Sequence, residues 1–485
     1  MKRLRVLLLI GILILAQVQS LVAGQIVQLS LEEASDLALV NNFDIQLAKY
    51  DTWIARENIR EARSIYDVVI AADANYEKDK HKRATTILGS EIVDHNYDFS
   101  LSQKLPTGTT LSVDFDNNRN KTDSAFATSP VTYESVLGVN LVQELGQNFF
   151  GLQDRLNIKL TKIDAQNIEY ISLNKIENDL AFVQKAYWDL VAAREILTIE
   201  EGMMQEANKL HELHQEKLKN GLVEKPEALA SQANYQERIN EVSLAQFILE
   251  EKSNVLRFAL NISEDISFNP LERISTEDQE INLAPSLNKA FENRSDYKKK
   301  INEIKGRDIQ VVMKKNSLWP QINLRASLSQ NGLGDDWGEA AEGISQEDNT
   351  DVYAGVSVEF PVQNRKARAQ LKKAELQKAQ TLIELKQLER RITIDVTDDV
   401  RRCNVFKEVA QNALLIAGMH KEKLDEELKR FNSGRSETDT LIRFQEDYLQ
   451  AQRRAVLTNV DYRKALVDLK KTEGSLLNQY WDEEI

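Results

Sequence analysis

Residues 351–433 decide the fold, because the segment DVYAGVSVEF (351–360) leads directly into a very long stretch without proline. Strict alternation in the segment predicts a β-strand with one apolar and one polar face. Its apolar positions are Val352, Ala354, Val356, Val358 and Phe360. From Asn364 to Ser433 only Gly418 interrupts a run rich in helix-forming residues. This run predicts a helix of about 70 residues, roughly 105 Å long at ~1.5 Å per residue.

Other segments repeat the alternation. It recurs at 321–329, 97–102 and 111–116, and a further strand is predicted at Leu137–Leu141. The turn Leu105-Pro106-Thr107-Gly108-Thr109 joins two of these segments, so the first half of the chain supplies two or four strands. Outer-membrane barrels show this alternation, but so does a soluble sandwich or hairpin with one buried face.

The chain contains two copies of one plan. Residues 38–45 (ALVNNFDI) and 290–297 (AFENRSDY) share a pattern at an offset of 252 residues. Strands, a long helix, a break at Asn220-Gly221 or Ser433-Gly434, and a final helix follow each motif. We predict a first repeat at 25–262, with strands at about 67–145 and a turn near 221. A polar linker spans 263–285, and the second repeat spans 286–485, with strands at about 318–362 and a turn near 434.

The N-terminus predicts a secretory signal peptide at residues 1–24, with a basic end, an apolar run at 6–15 and small residues before Gln25. The formal charge of the full chain is −14, and an acidic chain argues against nucleic acid as a partner. The single cysteine, Cys403, excludes an intramolecular disulfide.

No catalytic, cofactor or metal site is predicted. The pair His211 and His214 lacks the spacing of the zinc-protease motif, and a solvated helix face explains it better. No phosphate-binding glycine loop or nucleophile elbow is present in the sequence, so the chain is predicted not to be an enzyme.

The predicted strands require partners. Four to six strands cannot close a barrel alone, and open strand edges are not tolerated in lipid, so the chain is predicted to oligomerise through its sheet. Three copies of four strands would close a barrel of twelve. The alternative is a periplasmic coiled-coil scaffold without a pore, because helix periodicity alone does not exclude it.

Taken together, the segment from Leu31 to Asn42, the matching segment from Leu287 to Asp296 and the two glycine-centred breaks resemble the TolC-like family of outer-membrane factors. The resemblance covers essentially the whole mature chain. It implies a homotrimer whose outer-membrane β-barrel is continued by a long periplasmic α-helical barrel. It also implies a periplasmic adaptor and an inner-membrane pump as partners, as in efflux or type I secretion.

The resemblance further implies that the two helix breaks are periplasmic tips where the adaptor docks and the pore closes. The docking residues are Asn220, Gly221, Leu222, Val223, Phe431, Ser433, Gly434 and Arg435. Phe431 stands where a tyrosine is frequent in the family, and Thr440 and Arg443 replace acidic residues, whereas Glu227 keeps its charge. We therefore predict a different gate, in which Arg443, Arg435 and Glu227 form an ion-pair latch, although solvated tip charges are the simpler interpretation.

Overall fold

The computed structural model describes residues 25–480 except 86, 88, 128, 264, 265, 274–279, 347 and 348. The predicted signal peptide lies outside the described residues. Internal contacts divide the chain into two units, each described by itself below. The sheet unit comprises Thr52–Glu169 and Lys299–Leu385. Of the described residues, the helical unit comprises those at 25–51, 170–298 and 386–480.

The described helices are dominated by two of 68 residues each, which confirms the two long helices predicted from the proline-free stretches. Each ends at a glycine-containing turn. In chain order the helices are α1 (Leu31–Asn41), α2 (Phe43–Arg63), α3 (Leu152–Lys219), α4 (Lys225–Leu260), α5 (Leu283–Asn293), α6 (Ser295–Asn316), α7 (Trp337–Gln346), α8 (Arg365–Asn432) and α9 (Thr438–Thr472). Within the described part of the chain, no helix has the length and apolar character needed to cross a membrane.

The sheet unit contains one antiparallel sheet of six strands, and neighbours in the sheet follow chain order. Its strands are β2 (Val68–Asp79), β3 (Ile92–Lys104), β4 (Thr109–Thr122), β5 (Val131–Glu144), β7 (Gln321–Gly334) and β8 (Thr350–Glu359). The first half of the chain thus contributes four strands, which resolves the alternative left open by the sequence. Each chain has six strands because the turn at Leu105–Thr109 folds an additional hairpin into the sheet. Three copies with four strands each, which would give a barrel of twelve strands, therefore do not describe this chain.

Part of the segment predicted to be a linker forms a strand. Residues Ile266–Pro270 are β6, which pairs in parallel with β1 (Gln25–Leu29) in the helical unit. Phe268 is buried in the main core of this unit, and Tyr187 donates a hydrogen bond of 2.8 Å to the carbonyl of Leu29. Polar composition predicted a linker here, but burial of Phe268 and the backbone pairing stabilise a short strand instead.

A second apolar cluster of the helical unit surrounds the only cysteine. Cys403 on α8 is fully buried among Ile392, Val396, Val400 and Leu469. Burial raises the pKa of its thiol to about 12, so the thiol stays protonated at physiological pH. A protonated, buried thiol is a poor nucleophile, and the side chain acts here as a small apolar group.

Candidate functional site

One face of the six-stranded sheet is apolar and exposed in the single chain. The strand register places one side chain from each strand in a row that crosses the sheet. These six side chains are between 36% and 77% exposed. They are Ile70, Leu101, Val113, Val139, Leu328 and Val352. A contiguous apolar surface of this kind marks a site for a partner or for lipid.

The opposite face is polar and acidic. The next row across the sheet consists of Ala71, Ser100, Asp114, Gly138, Ser329 and Asp351. On the same face Asp73, Asp98 and Asp116 are direct cross-strand neighbours. Side-chain amides link the strands on this face, for example Asn140, which donates a hydrogen bond of 2.6 Å to Asp114. Such a face is suited to water and disfavours contact with lipid.

Aromatic side chains lie at both ends of the strands. At the loop end the indole of Trp337 packs edge to face against Tyr133 and Tyr97, at centroid distances of 4.9 and 6.0 Å. At the helix end Phe149, Phe150, Trp319 and Phe360 are each about half exposed. Aromatic residues that flank an apolar band on both sides are typical of strands that cross a membrane.

The first and last strands of the sheet each have one neighbour among the described residues. β2 pairs only with β3, and β8 pairs only with β7. Nearly every residue of both strands is exposed. Along β2, and along β8 from Asp351 to Glu359, the outer edge therefore presents backbone N–H and C=O groups that can pair with another strand.

The two predicted tips of the helical unit are turns of the same geometry. Gly221 and Gly434 both have φ of +70°, a conformation that favours glycine. After each glycine the next amide donates back to a carbonyl of the last helical turn, from Leu222 to Lys217 at 2.8 Å and from Arg435 to Arg430 at 2.9 Å. These bonds form the Schellman motif that ends helices. Each following helix begins four residues after its glycine, directly after an N-cap at Glu224 or Glu437.

The structure leaves most predicted docking residues exposed. Asn220, Leu222, Ser433 and Arg435 are exposed, Val223 is half-buried, and the Leu222 side chain has 72% of its surface accessible. Phe431 is half-buried because its ring stacks on the imidazole of His214, with a centroid distance of 6.1 Å and nearly parallel planes. The docking assignment itself stays a prediction.

Sequence reasoning missed the role of His214, which connects the two helix hairpins. The side chain is buried, its Nε2 lies 3.4 Å from Thr438 Oγ1, and Phe431 stacks on it. Its sequence neighbour His211 instead stacks on Tyr235 at 5.8 Å. The signal that could have identified the contact is the position of His214 one helical turn after Leu210, a buried residue of the same helix that packs with Leu424 and Leu441 of the other hairpin.

Within the described chain no ion pair joins Arg443 or Arg435 to Glu227. Arg443 instead lies 5.6 Å from the ring of Phe444. Glu227 stands near His214, and Thr440 is half-buried. The predicted latch is therefore not formed within one chain, and the assignment of Glu227, Thr440 and Arg443 to a gate stays a prediction.

The contact between the hairpins is expected to weaken in acid. Burial lowers the pKa of His214 and outweighs the opposing effect of the nearby Glu227 carboxylate, while the positive charge of Lys217 acts in the same direction as burial. The folded contact therefore keeps His214 neutral, and its stability falls as the pH drops below the ordinary value of about 6.5, by at most ~1.4 kcal/mol per pH unit. We expect amides at 428–441 to exchange hydrogen up to about tenfold faster at pH 5.5 than at pH 7.5, after correction for intrinsic rates.

The matched control for this prediction is His214→Phe, which keeps an aromatic ring against Phe431 but does not titrate. The corrected exchange rates of this variant should be the same at both pH values. Equal acid sensitivity in both proteins would show that another group controls the contact.

No protein-family profile and no curated protein sequence matches the chain significantly. The fold matches the CmeC outer membrane channel of Campylobacter jejuni with a TM-score of 0.67 at 15% identity, covering 93% of this chain and 87% of that one. The outer-membrane channel OprN matches with a TM-score of 0.69 at 14% identity, covering 92% and 90%. The open-state MtrE outer membrane channel of Neisseria gonorrhoeae matches at 0.66 and 16% identity, covering 92% and 89%.

These similarities extend over nearly the whole of each chain. The resemblance to TolC-like outer-membrane factors that the sequence predicted is therefore confirmed for the fold: this chain is folded like the outer-membrane channels CmeC, OprN and MtrE.

Proposed function

We propose that the protein is the outer-membrane exit channel of an export system. Three copies join their sheets edge to edge into a barrel in the outer membrane, and their long helices form a duct through the periplasm. The channel is passive, because an inner-membrane pump supplies the energy. The observation that carries the proposal is a sheet with one exposed apolar face, one acidic face and two unpaired edges.

The sheet supports a membrane barrel for a simple physical reason. A strand edge in lipid leaves backbone groups without hydrogen bonds, at several kcal/mol for each group. The six strands alternate in direction, so β8 of one copy and β2 of the next run antiparallel when the sheets are placed in sequence. Closure through these two edges removes every free edge, turns the apolar row toward lipid and lines the interior with polar side chains.

The helices support the periplasmic duct. A helix of 68 residues is roughly 100 Å long at ~1.5 Å per residue, which far exceeds a bilayer. The two glycine turns would lie at the far end of the duct, and their exposed residues, Leu222 and Arg435 among them, would receive the periplasmic adaptor protein. Efflux of small molecules and type I secretion of proteins share this architecture.

Closure can be tested with pairs of cysteines on the two free edges. Starting from Cys403→Ser, Val356→Cys on β8 is combined in turn with Ile70→Cys, Ala72→Cys or Ala74→Cys on β2. All four positions lie on the apolar face, and five strand spacings, roughly 24 Å, separate β8 from β2 within one chain. Oxidation should therefore produce covalent oligomers up to a trimer in at least one combination.

The control moves the β8 cysteine to the adjacent Ser357, which lies on the opposite face of the same strand. Combined with the same three β2 cysteines it should give no covalent oligomer. If no Val356→Cys combination cross-links and the protein fractionates as a soluble elongated dimer, the chain is a coiled-coil scaffold and the channel proposal is wrong.

The acidic face predicts that the channel prefers cations. Asp73, Asp98 and Asp116 would line the interior as a belt repeated in each copy, and rings of carboxylates favour cations. In planar bilayers under a KCl gradient we expect the reversal potential to report a permeability ratio of K⁺ to Cl⁻ of several-fold. The double variant Asp98→Asn/Asp116→Asn should lower this ratio toward one, whereas Glu57→Gln, on a helix before the strands, should leave it unchanged.

The class of pump can be identified by capture at the tips. A photo-crosslinking amino acid in place of Leu222 or Arg435 reports the neighbours of the two turns in living cells. An adaptor that serves a proton-driven pump would indicate small-molecule efflux, and an adaptor that serves an ATP-driven exporter would indicate secretion. If neither position captures a periplasmic protein, the docking assignment fails.

A further inference from the structure

We infer that the β3–β4 hairpin is part of the barrel wall, so that three copies of the chain enclose an eighteen-stranded pore in which β8 of each copy pairs with β2 of the next. This inference rests on the proposed trimeric channel and specifies the width of its membrane pore. It departs from the barrel of twelve strands that three copies of four strands would close.

The hairpin is an addition to the first half of the chain. In the second half, β7 follows α6 and β8 immediately precedes α8, with helix α7 between the two strands. In the first half, β2 follows α2 and β5 precedes α3, and the hairpin Ile92–Thr122 stands between them. Removal of the hairpin would leave two strands in each half. The hairpin therefore accounts for the whole difference between four strands and six.

The hairpin is fully paired on both sides. β3 pairs with β2 along Val68–Asp79, and β4 pairs with β5 along Val131–Gln143. β2 and β5 are not neighbours in the sheet, because the hairpin separates them. A hairpin that lay outside the barrel would have to break both of these ladders and leave their backbone groups unpaired.

Both faces of the hairpin match those of the sheet. Its outward positions Phe99, Leu101, Leu111, Val113 and Phe115 continue the apolar row into β5. The opposite positions are Asp98, Ser100, Ser102, Ser112, Asp114 and Asp116. A hairpin that folded over the sheet or extended into solvent would not need one face for lipid and one for water.

The turn of the hairpin is anchored to the start of the long helix α3. Its glycine, Gly108, packs so closely against Gly151 that a Cβ atom there would lie 2.7 Å from the Gly151 nitrogen. The Glu144 amide donates to the Gly108 carbonyl at 3.3 Å. Lys104 at the end of β3 forms an ion pair of 2.8 Å with Asp154 on α3. These contacts hold the hairpin in the plane of the sheet.

Two more strands per chain preserve closure and widen the pore. An added pair keeps the antiparallel alternation, so the outer edges remain complementary. Barrel diameter grows roughly linearly with strand number, so eighteen strands give a barrel about 1.5 times as wide as twelve, with about twice the cross-section. A barrel of this width holds a water-filled channel and would not be the narrow part of the export path.

The test asks which strand lies beside β2 in trimers extracted from the outer membrane. In the Cys403→Ser background, Ala72→Cys is combined with Phe99→Cys or with Leu137→Cys. Ala72 and Phe99 are direct partners across β2 and β3. Ala72 and Leu137 are three strands apart, roughly 14 Å, which a disulfide cannot span. If the hairpin is part of the wall, only the first pair forms an intrachain disulfide.

A strand count by electron cryo-microscopy of unmodified trimers in nanodiscs gives a second readout that needs no substitution. Eighteen strands would support the inference. Twelve strands, or a disulfide between positions 72 and 137, would overturn it and leave the proposed channel intact. Absence of any trimer or barrel would refute the proposed function and this inference together.

Discussion

Ile70→Arg is expected to abolish heat-resistant trimers in the outer membrane, whereas Ala71→Arg, one residue further along β2, should assemble normally. Ile70 is 77% exposed and belongs to the apolar row that crosses the sheet. Arginine on the lipid face of a barrel costs up to roughly 2–4 kcal/mol, with the cost decreasing from the bilayer midplane toward the interfaces, and a trimer contains three copies. Ala71 faces the polar side, where its cross-strand neighbours are Ser100 and then Asp114.

The measurement is an immunoblot of outer-membrane fractions after unheated and heated electrophoresis. Ile70→Arg should be lost from the trimer band and degraded, and Ala71→Arg should retain at least most of that band. Equal assembly of both variants would mean that β2 does not face lipid. Loss of both would mean that arginine at this position disrupts the sheet regardless of face, and Ile70→Ala would then separate loss of packing from the cost of burying a charge.

The strands and long helices could be predicted from sequence because each is specified locally. Alternation at 321–329 fixes which side chains share a face, and the proline-free run from Asn364 fixes one uninterrupted helix. The structure confirms both elements as β7 and α8. The helix ends at Gly221 and Gly434 could also be predicted from sequence, because a helix that ends in this way needs a residue in the left-handed backbone conformation.

Features that depend on distant contacts could not be predicted. β1 and β6 have five residues each and pair across more than two hundred residues of chain, so neither has a local signal. Helix α7 is short, and its approach to the sheet depends on Gly332, where a Cβ atom would lie 2.0 Å from the Ala340 carbonyl oxygen. The contact of His214 with Phe431 likewise joins helices that are far apart in sequence.

The contacts of the tip residues also depend on residues that are distant in sequence. Departures from the family's gate residues led to the hypothesis of an ion-pair latch of Arg443, Arg435 and Glu227, although solvated tip charges were the simpler interpretation. In the structure the apolar cluster of Leu210, Leu424 and Leu441 packs between the hairpins. The side chains that control the tips within one chain are thus aromatic and aliphatic, and the charges surround them.

A buried charge cluster in the helical unit gives the largest expected effect on stability. Arg453 on α9 donates through Nε to Glu200 on α3, and through Nη2 to Glu241 on α4 at 2.8 Å. Glu200 is completely buried, and burial raises its pKa despite the nearby guanidinium. Three helices therefore meet at one arginine, and removal of this arginine leaves an uncompensated buried carboxylate.

Arg453→Met is expected to destabilise the helical unit by about 3–5 kcal/mol, whereas Arg454→Met, at the adjacent exposed position, should have little effect. The stability lost by Arg453→Met should be greater at pH 8 than at pH 5. A carboxyl group whose pKa is raised in the folded state favours folding as the pH falls, because protonated Glu200 carries no charge to bury. The measurement is the concentration of guanidinium chloride at which half of the helical circular dichroism signal is lost, determined at both pH values.

The double variant Glu200→Gln/Arg453→Met provides the decisive comparison. It removes the buried carboxylate that has lost its partner, and it keeps nearly the same side-chain volume at both positions. If the cost comes from the buried carboxylate, the double variant should recover most of the stability lost by Arg453→Met and lose the difference between pH 5 and pH 8. If the double variant is as unstable as the single one, the contribution of Arg453 comes from packing of its aliphatic chain between α3, α4 and α9, and charge pairing does not hold these helices together.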